Sequence, residues 1–281
     1  MPLFDAHNHF QDDWFDPHRE RLLDELPRLG LGGMVVNGTC ESDWPKVREL
    51  GRRVPWIVPS FGLHPWDCGN RSPAWEETLS AALLETPGAA VGEIGIDRWI
   101  LDRARPDDPR LAGMRRAPLD EQLQVFVRQL DLACRMKRPA SIHCLDAWGP
   151  LIECLRRTPL PQRGFLLHAY GGPAEMVVDF AALGAYFSFN GNYLEERRVR
   201  NREAFRQVPA ERLLVETDAP AMLLPAPWRH FELPSAPTGE NINHPGNLLG
   251  AYEGIAHLRG AASEELAETC ETNFRRLFLG Q

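Results

Sequence analysis

The sequence predicts an α/β fold in which eight strand–helix units close into a (β/α)8 TIM barrel, and three observations point there. Short apolar, β-prone runs recur along the whole chain with longer amphipathic segments between them, as in a parallel sheet whose faces are covered by helices. Eight such runs occur in 281 residues, a length that suits one α/β barrel. Histidines and carboxylates gather where the runs end, the face on which barrels carry their chemistry. An open, doubly wound sheet is the rival architecture.

The strands are expected at 3–9, 33–38, 56–63, 89–96, 140–143, 164–168, 185–189 and 213–218. After the first, PHRERLLDELPRLG sets Leu22, Leu23 and Leu26 on one helical face, with Pro27 stopping or kinking it. PLDEQLQVFVRQLDLACRMKRP opens on proline and acids, carries Leu123, Phe126, Leu130 and Leu132, and closes on basic residues, sound start and stop signals for a helix. SEELAETCETNFRRLFL reads as a closing helix. Two connections are long: 98–118, rich in arginine, aspartate and proline, and 219–245, rich in proline. Loops of that length in a compact domain are more often functional than idle. No low-complexity linker interrupts the chain, so one domain over residues 1–281 is expected.

Composition narrows the partners. The chain is 43% hydrophobic and 25% charged, with a net charge of −8, so it lacks the basic coat needed for extensive duplex binding. A nucleic-acid end or a small molecule remains a suitable substrate. The six cysteines form no CxxC pair, and MPLFDAHNHF has neither the basic start nor the apolar run of a secretory leader. Free thiols in the cytoplasm are expected. No apolar stretch is long enough to span a bilayer.

The chemistry-bearing residues sit at the strand ends. FDAHNHF contributes His7 and His9, which share one side of a strand because side chains alternate. GLHPW brings His64, AVGEIGID brings Glu93 and Asp97, and PASIHCLDAW brings His143 and Asp146. FLLHAYGG brings His168, and LLVETDAP brings Glu216 and Asp218. One such histidine would be an ordinary polar strand end. Five of the nine histidines, set beside several carboxylates, make a donor set for Zn, Mn or Mg. Two such ions about 3.5–4 Å apart can share a hydroxide and clamp an ester or phosphate. A further carboxylate can orient that water or take its proton.

The ordered set DAHNH (5–9), FGLHP (61–65), VGEIGID (91–97), QLQVFVRQLDLA (122–133), ASIHCLDAW (140–148), LLHAYGG (166–172), LLVETDAP (213–220) and TNFRRLF (272–278) resembles the TatD-related metal-dependent hydrolases of the amidohydrolase superfamily. The match is collinear over almost the whole chain. The resemblance implies a (β/α)8 barrel with a binuclear metal centre and a hydroxide bridging two divalent ions. It implies attack on phosphodiester bonds, of the deoxyribonuclease or 3′-end exonuclease type. It assigns His7, His9 and Asp218 to one metal, His143 and His168 to the other, and Glu93 to the bridge. Asp218 would also act as base or orienter, and His64 would stand near the scissile phosphate or leaving group. Asp97 would back a ligand or cap its strand, and Glu216 could equally face the barrel wall.

Hydrolysis of a carboxylic ester, lactone or amide, including deacylation of a D-aminoacyl-tRNA, is the alternative, because the same hydroxide can attack a carbonyl. A metal-binding scaffold without turnover is disfavoured by the complete ligand set. Some amidohydrolases bridge their metals with a carboxylated lysine, but the only two lysines, Lys46 and Lys137, end no strand. Two departures bear on the substrate. Leu145 stands where many relatives carry arginine. The 98–118 connection is longer than usual and adds Arg98, Arg103, Arg105, Arg110, Arg115 and Arg116. These could bind phosphate, or pair with Asp102, Asp107 and Asp108, which the reading slightly favours.

Overall fold

Strand order in the single sheet follows chain order, β1 to β8, and every neighbouring pair is parallel. The computed structural model describes residues 1–281. The strands are β1 (Leu3–Asn8), β2 (Leu31–Asn37), β3 (Ile57–Phe61), β4 (Ala90–Asp97), β5 (Ala140–Leu145), β6 (Phe165–Leu167), β7 (Ala185–Asn190) and β8 (Leu213–Glu216). The intervening helices are α1 (Arg19–Glu25), α2 (Trp44–Arg53), α3 (Trp75–Glu85), α4 (Trp99–Asp102), α5 (Leu119–Arg135), α6 (Trp148–Leu155), α7 (Val177–Ala182) and α8 (Val199–Gln207). After β8 come α9 (Leu248–Arg259) and α10 (Ser263–Phe274), which runs into a π turn over Arg275–Leu279. The (β/α)8 expectation is met. α1 stops before Pro27, as the ring requires.

β8 meets β1 to close the ring. Asp218 N–H donates to the His7 carbonyl at 3.0 Å, and His9 N–H to the Ala219 carbonyl at 2.8 Å. Just before these, the Asp5 carboxylate accepts from Thr217 N–H at 3.0 Å and Thr217 Oγ1 at 2.6 Å. A side chain thus completes the seam where the ladder is interrupted. Phe4, Ala6, Val35, Val58, Ala90, Leu166, Tyr186 and Leu214 form one buried cluster. They come from seven of the eight strands, so the cluster fills the barrel interior. Phe274, Leu277 and Phe278 join it from the chain end. The larger apolar cluster lies between the sheet and the helices.

Two irregularities aim side chains into the mouth. Ala6 is interior, yet its neighbour His7 also reaches the interior Ser141; the β1–β2 register slips between Asp5 and Asn8. Ala90 is interior, and so is Glu93 three residues on; the β4–β5 register slips between Val91 and Ile94. Irregular pairing of this kind re-aims side chains beside active sites. His9, His64, His168 and Asp218 lie just beyond their strands, not within them. Asp218 has φ +52° and Ala169, after His168, φ +40°, so the chain turns sharply at both places.

The 98–118 connection meets the pairing expectation in part: Asp102 and Asp108 each take an arginine, Asp107 is approached by Arg105 only to 3.9 Å, and Arg103 and Arg115 pair outside the connection. Arg98 pairs with Asp102 at 2.7 Å, Arg110 with Asp108 at 2.7 Å, and Arg115 with Glu121 at 2.6 Å. Arg116 donates to the Ile100 and Ala104 carbonyls at 3.1 Å each. In the 219–245 connection, buried Asn243 donates to the Thr217 carbonyl at 3.1 Å and takes over the turn-forming role of regular structure.

Gly95 has φ +150°, and a Cβ there would stand 2.0 Å from the His143 carbonyl oxygen. Gly95→Ala should therefore lower stability by roughly 2–3 kcal/mol, read as a Tm lower by about 5–10 °C in a thermal melt. An unchanged Tm would show that β4 can move away from β5 at no cost.

Candidate metal centre

Glu93 is the hub of the mouth. β4 carries it into the barrel at 2% exposure. Its Oε2 lies 3.4 Å from His7 Nε2 and 3.2 Å from His9 Nε2. Its Oε1 lies 3.0 Å from His143 Nδ1, 2.8 Å from His168 Nε2 and 3.4 Å from His64 Nε2. One carboxylate oxygen thus faces each of two imidazole pairs. Asp218 Oδ1 closes the first cup, 3.4 Å from His9 Nε2 and 3.8 Å from His7 Nε2. The inner nitrogens of each pair nearly touch: His7 Nε2 to His9 Nε2 is 3.3 Å, and His143 Nδ1 to His168 Nε2 is 3.2 Å.

The outer nitrogens decide what the inner ones offer. His9 Nδ1 is 2.9 Å from the Asn37 carbonyl, which can only accept, so Nδ1 carries the proton and Nε2 presents a lone pair. His143 Nε2 donates to Asp97 Oδ2 at 3.2 Å, which leaves Nδ1 bare toward Glu93. His7 Nδ1 meets Ser141 Oγ at 2.9 Å. His168 Nδ1 has only Glu216 Oε1 at 3.7 Å and no hydrogen bond. Such outer partners fix tautomer and ring orientation in metal sites. His64 is opposite in sense. Its Nδ1 accepts from Trp66 N–H at 3.2 Å, so Nε2 holds the proton and aims it at Glu93.

Lone pairs of imidazole and carboxylate therefore converge in a buried space. Glu93, Asp97, Asp218 and Glu216 have imidazoles as their only ion-pair partners; no lysine or arginine comes within 4.0 Å of them. Convergent acceptors without a cation are costly to bury. Without metal, protons must fill the gap. Burial would lower His143, but its bonds to Asp97 and Glu93 outweigh this and lift it to about 9. His9 and His168 are raised in the same way, by Asp218 with Glu93 and by Glu93 with Glu216. Burial would raise Glu93, yet the facing imidazoles hold it well below the ordinary carboxylate range. Burial keeps His64 low and neutral, in keeping with its role as an N–H donor. The donor types and their spacing fit divalent cations.

Every residue proposed from the sequence as a ligand comes to this mouth. His64 both accepts within its turn and reaches Glu93, so its two readings coexist. Asp97 backs His143 and also accepts Ile100 N–H at 3.2 Å at the start of α4. Glu216 is fully buried and points inward, taking hydrogen bonds from Ser188 Oγ and from Asn190 Nδ2 at 3.2 Å. Asp146 stays at the rim, 3.2 Å from Arg103. Sequence reasoning passed over Ser141, Asn37, Asp5 and Trp66. Ser141 lies two residues before His143 on the same strand face, a spacing that could have marked it. Asn37 acts through its carbonyl, for which side-chain identity carries no signal.

The pattern of a family described as TatD related DNase matches residues 4–279. The chain is 30% identical over 277 residues to the 3′-5′ ssDNA/RNA exonuclease TatD of Escherichia fergusonii, covering 98% of each chain. It is 28% identical to a metal-dependent hydrolase of Bacillus subtilis, YabD, again over 98% of each. Its fold matches that of the TatD homologue YJJV from Escherichia coli with TM-score 0.83 and 26% identity, covering 99% of this chain and 98% of that one.

The protonation pattern predicts opposite pH trends with and without metal. His143 is raised from 6.5 to about 9 in the metal-free fold, so its stabilisation is complete below 6.5 and is lost as pH climbs to 9. Thermal melts in EDTA should show Tm falling across that window. Saturating Mn²⁺ or Zn²⁺ should reverse the slope, because ligand nitrogens must shed protons to bind metal. A flat EDTA profile would contradict the assignment.

Proposed function

The chain belongs to the TatD related DNase family of metal-dependent hydrolases, and we propose that it is a 3′-5′ exonuclease acting on single-stranded nucleic acid through two divalent ions. The observation that carries the proposal is Glu93, whose two oxygens each face a separate imidazole pair. His7, His9 and Asp218 would hold one ion, His143 and His168 the other, with Glu93 shared. The reading takes residues 1–281 as one catalytic domain. It places the protein in the cytoplasm, which the six unpaired cysteines support. No helix is long and apolar enough to cross a membrane.

Bound at these residues, divalent ions would acidify water and offset phosphate charge. The chain's own groups supply the remainder. Asp218 Oδ1 faces the imidazoles and the side chain keeps 13% of its surface exposed, so the carboxylate can take the proton of an attacking water. Burial would raise this carboxyl, but the bond to His9 and the neighbouring imidazole charges hold it below its ordinary value, so it is ready as an acceptor. His64 Nε2–H, buried and locked by Trp66 N–H, can donate to a phosphate oxygen or to the departing one. Substrate choice follows from the rim. Four of the six arginines of 98–118, Arg98, Arg110, Arg115 and Arg116, are committed to carboxylates and carbonyls, so few phosphates can be held, and a strand end suits the site better than a duplex.

The direct test supplies purified protein with Mg²⁺, Mn²⁺ or Zn²⁺ and 5′-labelled single-stranded DNA. A ladder shortening from the 3′ end is expected, and no product with any metal shown to be bound would overturn the proposal. Asp218→Asn should lower the rate at least about 100-fold while keeping the native far-UV spectrum. His64→Ala should cost about 10²–10³ in kcat with the bound-metal count unchanged, which separates a donor from a ligand.

A further inference from the structure

Six of the eight tryptophans serve the apolar core: Trp44 and Trp75 lie within it, and Trp14, Trp56, Trp148 and Trp228 pack against it. Trp66 and Trp99 do neither. They follow β3 and β4, on the same end of the barrel as the candidate ligands, and each is half-buried. Their rings stack with centroids 6.0 Å apart and planes 21° from parallel. Trp66 is anchored through Nε1, which donates to Asp97 Oδ2 at 2.6 Å, and its ring stands edge-on to His64 at 5.7 Å. The Arg110 guanidinium lies 4.7 Å from the Trp99 ring and 5.9 Å from that of Trp66. Asp108 fixes it with two bonds of 3.0 and 2.7 Å and also accepts Arg110 N–H at 3.1 Å.

Two indoles and one planar cation are thus held rigidly beside the reacting groups without contributing to the core. Indole surface left open to water at a cleft is suited to a flat, π-faced ligand. We propose that Trp66 and Trp99, with Arg110 over one side of the pair, form on their other side the stacking subsite for the 3′-terminal nucleobase of a single strand whose last phosphodiester lies at Glu93 and His64. The inference rests on the nuclease reading and adds to it what positions the strand end. Stacking needs no base-edge hydrogen bonds, so every base can occupy the shelf. It also supplies binding that the committed arginines of the 98–118 connection cannot. Arg110 adds a cation over the ring faces, which the neutralising Asp108 keeps from acting as a second phosphate site.

Two measurements test this. The native enzyme should cleave a strand ending in adenine with kcat/KM about tenfold above that for the same strand ending in an abasic residue; equal values would overturn the subsite without recourse to any variant. That ratio should fall toward one in Trp99→Ala and survive in Trp99→Phe. In Asp218→Asn, where the strand is not consumed, a 3′-terminal 2-aminopurine should lose emission on binding, and adding Trp99→Ala should restore it. Undiminished quenching in that double variant, or none in Asp218→Asn itself, would refute the shelf. Quenching without cleavage by the native enzyme would remove the nuclease reading and leave the shelf standing. Cleavage without base discrimination would do the reverse.

Discussion

Around Glu93 the barrel buries a set of acceptors that have no fixed cation to face. Two carboxylate oxygens, two close pairs of imidazole nitrogens and Asp218 point at one another across about 3–4 Å. A backbone holding them there tolerates only two solutions, protons or metal ions, because isolated buried charge is among the most costly arrangements in a fold. The raised imidazoles and the low carboxyl of Glu93 both descend from that single constraint.

The constraint is maintained from behind. The Asn37 carbonyl, Ser141 and Asp97 take the outer nitrogens, so ring orientation does not depend on whether a cation is bound. The register slips in β1 and β4 supply the aim that regular alternation would deny to His7 and Glu93. Gly95 lets β4 lie against the His143 backbone. These features favour the site over ideal sheet geometry, as expected where function overrides local consistency. His64 stands apart from the ligand set because its turn leaves the proton on the nitrogen that faces Glu93. A group with N–H turned inward serves chemistry that a lone pair cannot.

The rim shows a similar division of labour. In the 98–118 connection, charge is consumed in building the loop, so arginine abundance does not translate into a phosphate-binding surface. The same loop instead presents Trp99 to Trp66 and holds Arg110 beside both. Recognition by aromatic faces and recognition by basic contacts differ in salt dependence and in sequence tolerance. Under the proposed function, an acidic chain handling strand ends is better served by the first.

Much of this is legible in the sequence alone. Alternating apolar runs announced eight parallel strands, because an all-parallel sheet must be buried on both faces and covered by helices. The histidines and acids at the ends of those runs announced a metal site, because barrel closure brings all strand ends to one mouth. What the chain alone determined was therefore residue type and order. What only tertiary structure decided was direction: which ring nitrogens of His9, His64 and His143 face inward, that Glu216 turns inward, that Asp97 serves both His143 and Trp66, and that two of eight tryptophans abandon the core. The reason is physical. A strand's periodicity reports which face a side chain takes, whereas tautomer, register slip and stacking depend on atoms contributed by segments distant in sequence.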